Sequence, residues 1–321
     1  MSIKSITIKS LYQNFYQDGF FKFEPDKPTF CIHINSLVNL GLSELGQTKK
    51  ARDNMTNILK SPLYNSKLHL FYREINDKGQ VTNNKINTCK NAVAALALYS
   101  VGIVNRANDV IDALFASPLF DKKSGLFFRE YNSETNQVNH LIITQTNLWL
   151  VIVLVKLGQI DQAKRIMNSL EQIAFNRDYQ LFNSEDCNYD EKKAHYNSLF
   201  SDDQALAIIA YKLLNRDDKA QKLARDLIES DLYDHQTGLF NRDITSGKVN
   251  DVKTSYKNAL AGIALGLTEY QLELKMLQRS LTVNLYDMKS KLFNSSDKDQ
   301  TKIPDNSMLA LSALCKHIDI K

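Results

Sequence analysis

The chain has 321 residues, 43% hydrophobic and 24% charged, which supplies a large core and excludes global disorder. Its net charge of +4 comes from Lys and Arg dispersed among acids, so there is no nucleic-acid footprint. Four scattered cysteines (Cys31, Cys89, Cys187, Cys315) lack a framework spacing and suit a reducing compartment. The N-terminus is interrupted by Lys4 and Lys9, unlike a signal peptide. The longest apolar run, Leu148 to Val155, is too short to span a bilayer, so a soluble cytoplasmic protein is expected.

In chain order, three kinds of segment alternate. Amphipathic helices, such as Asn105 to Phe115 and Asp218 to Ile228, carry apolar residues every three or four positions and charges on the other face. Six of them are expected to begin near residues 3, 48, 105, 159, 217 and 270. Each is followed by a long connection that opens with a turn and an aromatic, as in Leu119-Phe-Asp-Lys-Lys-Ser-Gly-Leu-Phe-Phe-Arg-Glu130 and Leu232-Tyr-Asp-His-Gln-Thr-Gly-Leu-Phe-Asn-Arg-Asp243. Short β-rich runs around Asn76-Asp-Lys-Gly79 and Thr245-Ser-Gly247 predict small hairpins there.

The third kind of segment is a helix apolar nearly all round and rich in small residues, typified by Asn91-Ala-Val-Ala-Ala-Leu-Ala-Leu-Tyr99. Such a helix is buried on both sides. Six leading amides (Asn35, Asn91, Asn147, Gln204, Asn258, Asn306) stand 56, 56, 57, 54 and 48 residues apart, with helix starts expected near 34, 90, 146, 203, 257 and 305. Twelve helices, alternately half-wet and dry, make two concentric layers. An open solenoid needs polar caps, yet Ser307 to Cys315 is as apolar as the middle repeats. Closure follows: a single (α/α)6 toroid over residues 1–321. Links from dry to wet helices are a few residues long, whereas the return links run to roughly 25, and long loops tend to be functional. All six arrive where the dry helices begin, so the pocket belongs at that end.

The residues just before each amide ring that mouth: His33-Ile34, Cys89-Lys90, Gln145-Thr146, Asp202-Asp203, Tyr256-Lys257 and Pro304-Asp305. Asn and Gln at these starts either cap helices or bond between them, or offer a ring of ligand-binding amides. Converging helix N-termini favour an anionic or hydroxyl-rich ligand in either case. Asp202 and Asp203 are the sharpest acidic signal, as acid/base groups or as carboxylates simply stabilised by the helix dipole. Lys90 and Lys257 oppose that dipole in two equivalent repeats. Each therefore calls for a negative partner, either a loop carboxylate (Glu74, Asp243) or an anionic group on a ligand. Arg73, Arg129 and Arg242, each beside an acid (Glu74, Glu130, Asp243), suit a repeated structural clamp. Tyr196, Tyr256 and Trp149 are candidate stacking platforms, Trp149 being placed better for core packing. His33 with Cys31 and Cys89 has zinc-type donors but no zinc spacing, so no metal or cofactor is expected.

Six tandem hairpins with the turn Phe120-Asp-Lys-Lys-Ser-Gly-Leu-Phe127, repeated at Tyr233 to Phe240, resemble the six-hairpin toroid superfamily. Its members include the N-acylglucosamine 2-epimerases, the unsaturated glucuronyl hydrolases and other six-hairpin glycosidases. The resemblance covers the whole length and implies a carbohydrate-active enzyme. In such hydrolases inner-helix Asp residues do the acid/base work, which points to Asp202 or Asp203 with His33 or Asp305. The epimerases use a pair of histidines on inner-helix starts, where this chain has only His33, and family sugar pockets carry several tryptophans where it has one. The expectation is glycosidase-like hydrolysis, with epimerisation next, of a small anionic sugar held by Lys90, Lys257, Tyr256 and the amides. The alternatives are a toroidal cyclase or transferase for an apolar or peptide substrate, and a non-catalytic scaffold.

Overall fold

A computed structural model describes residues 2–184 and 198–315. Six outer helices occupy Ile3–Phe15 (α1), Thr48–Lys60 (α3), Val104–Ala116 (α5), Ile160–Ile173 (α7), Asp217–Glu229 (α9) and Gln271–Ser280 (α11). Six inner helices occupy Ile32–Glu44 (α2), Thr88–Ser100 (α4), Thr144–Lys156 (α6), Ser201–Leu213 (α8), Ser255–Leu265 (α10) and Pro304–Cys315 (α12). Outer helices bury one stripe, as α5 buries Ala107, Val110, Ile111 and Leu114. The inner helices are dry: α6 buries every residue from Thr146 to Leu154.

Each inner helix packs on the next, and α12 packs on both α10 and α2, which closes the ring. The outer helix α1 packs on α12, so the two ends of the chain together make the sixth hairpin. Closure needs close backbone approach. A Cβ on Gly41 of α2 would sit 3.0 Å from the Met308 Cβ of α12, so glycine is what lets first and last inner helices touch.

The six amides are not N-caps. Each inner helix starts about two residues earlier than its hydrophobic pattern indicates, and Cys31, Asn87, Ile143, Phe200 and Thr254 are the caps of the first five. The amide is therefore the fourth helical residue, and it grips the hairpin of its own repeat. Asn147 Oδ1 accepts from Phe127 N–H at 2.8 Å, while its Nδ2 donates to Phe127 C=O and Ile143 C=O, both at 3.1 Å. Asn35 grips Phe21 in the same way, Asn91 grips Phe71, Gln204 grips Phe182 and Asn258 grips Phe240. In the sixth repeat the equivalent residue is Ser307, whose hydroxyl accepts from Phe293 N–H at 2.9 Å. Asn306 is one residue out of that register.

The gripped phenylalanine has a constant partner. Tyr16↔Phe21, Tyr64↔Phe71, Phe120↔Phe127, Phe175↔Phe182, Tyr233↔Phe240 and Tyr286↔Phe293 are opposed across two-stranded hairpins. Their ring centroids are 4.9 to 5.2 Å apart. The Gly-Leu-Phe glycine supplies the left-handed turn residue: Gly125 and Gly238 have φ of 72° and 69°, and His69, Gln180 and Lys291 hold φ of 54°, 55° and 61° there. Amide and aromatic pair together fix where each long loop enters. Asn147→Ala takes away the partners of both main-chain groups of Phe127 at once, so a loss of about 2–4 kcal/mol in urea unfolding is expected.

Beyond these hairpins the loops knit neighbouring repeats into sheets. Thr29–Cys31 pairs with Glu74–Asn76, Lys85–Asn87 with the end of Leu126–Asn132, and Ser198–Phe200 with Asp243–Thr245. The two expected hairpins are present as Glu74–Asn76 with Val81–Asn83 and Asp243–Thr245 with Lys248–Asn250. Among the described residues no helix is long and apolar enough to cross a membrane.

Candidate functional site

Because the inner helices start early, the residues before the amides lie inside the first helical turn. The second residue of each inner helix forms a ring of its own: His33, Cys89, Gln145, Asp202, Tyr256 and Asp305. The third residues are Ile34, Lys90, Thr146, Asp203, Lys257 and Asn306. The first-turn N–H groups of six helices thus surround a set of acids, a phenol, a thiol and an imidazole.

The ring is joined around Asp202, which is 3% exposed. Gln145 Nε2 donates to its Oδ2 at 2.6 Å, and the Lys257 ammonium forms a salt bridge with its Oδ1. The same ammonium lies 4.3 Å from the centre of the Phe200 ring. Lys257 therefore answers the helix dipole with Asp202 of the neighbouring inner helix, not with loop residue Asp243. Asp243 instead takes Thr245 Oγ1 at 2.8 Å and Asn250 Nδ2 at 3.1 Å, with Arg242 Nε at 3.6 Å. Nor is the loop clamp uniform, since Glu130 pairs with Lys85 at 3.1 Å.

Lys90 forms no ion pair with a described residue; its Nζ lies 3.8 Å from Cys31 Sγ, and Glu74 takes the Thr82 hydroxyl instead. Cys31 and Cys89 are free thiols. Burial, opposed by Lys90 and reinforced by Asp202 and Asp203, pushes the Cys89 thiol up to about 12, so it stays protonated. Burial and then the charges of Lys90 and Arg73 pull the His33 imidazole down to about 3, so it is neutral across the physiological range. His33 Nδ1 is buried without a hydrogen bond.

Asp305 differs in kind. It is 6% exposed, and burial drives its carboxyl up to about 7 despite hydrogen bonds from backbone N–H groups, among them that of Asn306 at 3.0 Å. Near neutral pH it gives or takes a proton with little cost. Tyr256 connects the two acids: its hydroxyl is raised far above the ordinary phenol value by burial first, then by Asp202, Cys89 and Asp305. Neither that hydroxyl nor the Trp149 indole N–H it faces completes a hydrogen bond of ordinary geometry. Trp149, 5% exposed, is a wall residue, as its depth in the helix predicts.

The structure thus brings Asp202, Asp203, Asp305, His33, Lys90, Tyr256 and Lys257 to one end of the bore. Asn91, Asn147, Gln204 and Asn258 stand one step further in, with their side chains taken by hairpin backbone, so they are left out of the candidate site. Gln145 and Cys89 belong to the ring as much as the residues singled out from sequence; the signal was their equivalent position, two residues before each amide. Tyr196 and Cys187 lie outside the described residues, as does the side chain of Cys315.

No protein-family model matches this chain, and no curated protein matches it in sequence. Solved structures do match. A cellobiose 2-epimerase from Bacillus thermoamylovorans superposes with a TM-score of 0.80 at 12% identity, over 97% of this chain and 96% of that one. D-mannose isomerase gives 0.78 at 13%, over 98% and 96%. An α-mannanase from Bacteroides thetaiotaomicron gives 0.70 at 11%, over 98% and 94%. At such identities the likeness establishes the fold alone, an (α/α)6 toroid.

Proposed function

We propose that the loop end of the bore is the active site of a carbohydrate-active enzyme working by general acid–base catalysis, with glycoside hydrolysis as its leading reaction. The observation that carries this is Asp305, a buried carboxyl poised at about 7, on the same ring as Asp202 in its ion pair. Two carboxyl groups in different settings, one buried without a cation and one in an ion pair with Lys257, can divide the work as hydrolysis requires. Asp305 protonates the leaving oxygen, while Asp202 or its neighbour Asp203 faces the anomeric carbon or orients water. Lys90 is the cation for an anionic group on the sugar, Lys257 being committed to Asp202. The fold shared with a mannanase, an epimerase and an isomerase supports a sugar as substrate.

Epimerisation or isomerisation is the second candidate, favoured by one observation. His33 is a neutral imidazole with an unpartnered buried nitrogen, suited to hydrogen-bonding a sugar carbonyl while Asp305, at about 7, takes the proton from the neighbouring carbon. The two reactions separate in D2O. The protein is incubated with oligosaccharides, uronate-bearing disaccharides and free aldoses, and the products are followed by proton NMR. Hydrolysis yields new reducing ends without deuterium on carbon; epimerisation places deuterium at C2, and conversion of an aldose to a ketose places it at C1. Asp305→Asn is expected to abolish whichever appears. No turnover of any sugar would overturn the proposal and leave the scaffold alternative.

A further inference from the structure

The bore has a second end. Away from the loops, the later halves of all six inner helices enclose a chamber of about 410 Å³. Its walls are aliphatic, with Leu37, Leu96, Ile152, Ile209, Leu260 and Leu309 each from a different helix, and Trp149 lines it beside them. Protein interiors are close-packed, and an apolar hollow of this size forfeits contacts its lining would otherwise make. A concave, mostly apolar volume with a few convergent polar groups is the usual form of a small-molecule site.

The chamber's charged groups are Glu44, in the last turn of α2, and Lys156, the last residue of α6, with the hydroxyls of Ser43, Tyr99 and Ser100 also on the lining. Although both line the chamber, they form no ion pair. Glu44 is exposed at the chamber's rim, where the crowding of neighbouring side chains raises its carboxyl to about 7, partly offset by the Ser312 hydroxyl and Lys156, so near neutrality it can donate a hydrogen bond. Burial pulls the Lys156 ammonium down from its ordinary value, with Glu44 offsetting, and a bound anion would relieve that cost. An amine would set a second positive charge beside Lys156. The carbonyls at the ends of α2, α4, α6 and α8 hold little attraction for it, because the following loops already cap them. Leu45 and Gln47 N–H bond back to Gly41 and Leu42, and Leu157 and Gln159 N–H to Val153 and Leu154, with the same pattern after α4 and α8.

We propose that this chamber is a binding site for a small amphipathic carboxylate, its apolar body among the aliphatic walls against Trp149 and its head on Lys156 and Glu44. The site is independent of the chemistry at the loop end.

Trp149 is the sole tryptophan of the chain, so its fluorescence reports on the chamber directly. The full chain is titrated with octanoate, with 8-bromooctanoate as a contact quencher, and with octylamine. A saturable quench by 8-bromooctanoate, competed by octanoate, is expected, with octylamine binding far more weakly. Lys156→Met should weaken octanoate by about tenfold or more, and Lys156→Arg should retain it. Lys156 is half-buried at a helix end, and a thermal melt confirms that each variant is folded. Quenching that never saturates, a Lys156→Met titration overlying the unmodified protein, or octylamine binding as tightly as octanoate would each overturn the proposal.

Discussion

Asp305→Asn should make the protein more stable at pH 8 and catalytically silent. In the folded chain burial holds the Asp305 carboxyl at about 7, against an ordinary value near 3.8. Between roughly pH 4 and pH 7 the folded state therefore keeps a proton that the unfolded state has lost, and this group's contribution to stability falls as pH rises through that window. Above it, folding must hold a desolvated negative charge. Asparagine keeps an acceptor for the Asn306 N–H and carries no charge, so the variant gains on the order of 1–3 kcal/mol at pH 8 and nothing near pH 4. Burial of neutral His33 gives the opposite slope below about pH 6.5, and Glu44 slopes with Asp305. The quantity to measure is thus the difference between variant and unmodified chain in urea titrations at pH 5 and pH 8. Activity should move the other way, with turnover down by about 10²-fold or more if Asp305 is the proton donor. For the unmodified enzyme kcat/KM should fall about tenfold per pH unit above pH 7. A variant no more stable at pH 8 than its parent would show that Asp305 is not the strained acid the geometry describes.

Lys257→Met should be among the most destabilising single changes near the site. The salt bridge with Asp202 is nearly dry, the two side chains being 13% and 5% exposed. Removing the ammonium leaves a buried carboxylate supported by Gln145 alone, with an expected loss of about 3–5 kcal/mol. Removing both charges is a different experiment. Asp202→Asn with Lys257→Met leaves no uncompensated charge, and most of the lost stability should return. Chemical denaturation of the two single variants and the double variant gives the coupling directly. A Lys257→Met loss below about 1 kcal/mol would mean that the bridge is solvated and that Lys257 is free to hold substrate after all.

Ring and repeat number were both legible in the sequence. An inner helix must bury every face, so Asn91 to Tyr99 reads as apolar all round whatever its neighbours are. A repeat of about 56 residues leaves no other way to bury the faces of the first and last units. His33, Asp202, Tyr256 and Asp305 could be found because equivalent positions in equivalent repeats share a location. The register was less secure. Helix starts fell two residues early because the first turn is polar and the hydrophobic pattern begins only at the amide, which disguised a hairpin grip as a cap. In the last repeat the grip passes to Ser307, a residue that the amide pattern hides.

What the chain determined by itself is therefore the architecture, because burial periodicity and repeat spacing are local properties written residue by residue. What only the tertiary structure decided is which charge meets which. Lys257 had Asp243 in its own loop, yet it pairs with Asp202, 55 residues away on the adjacent helix. That choice depends on helix separation and side-chain reach, which sequence does not record. The same holds for the chamber between Glu44 and Lys156. An empty volume is the small remainder when six packed helices fail to fill their common axis, and no single residue carries a mark of it.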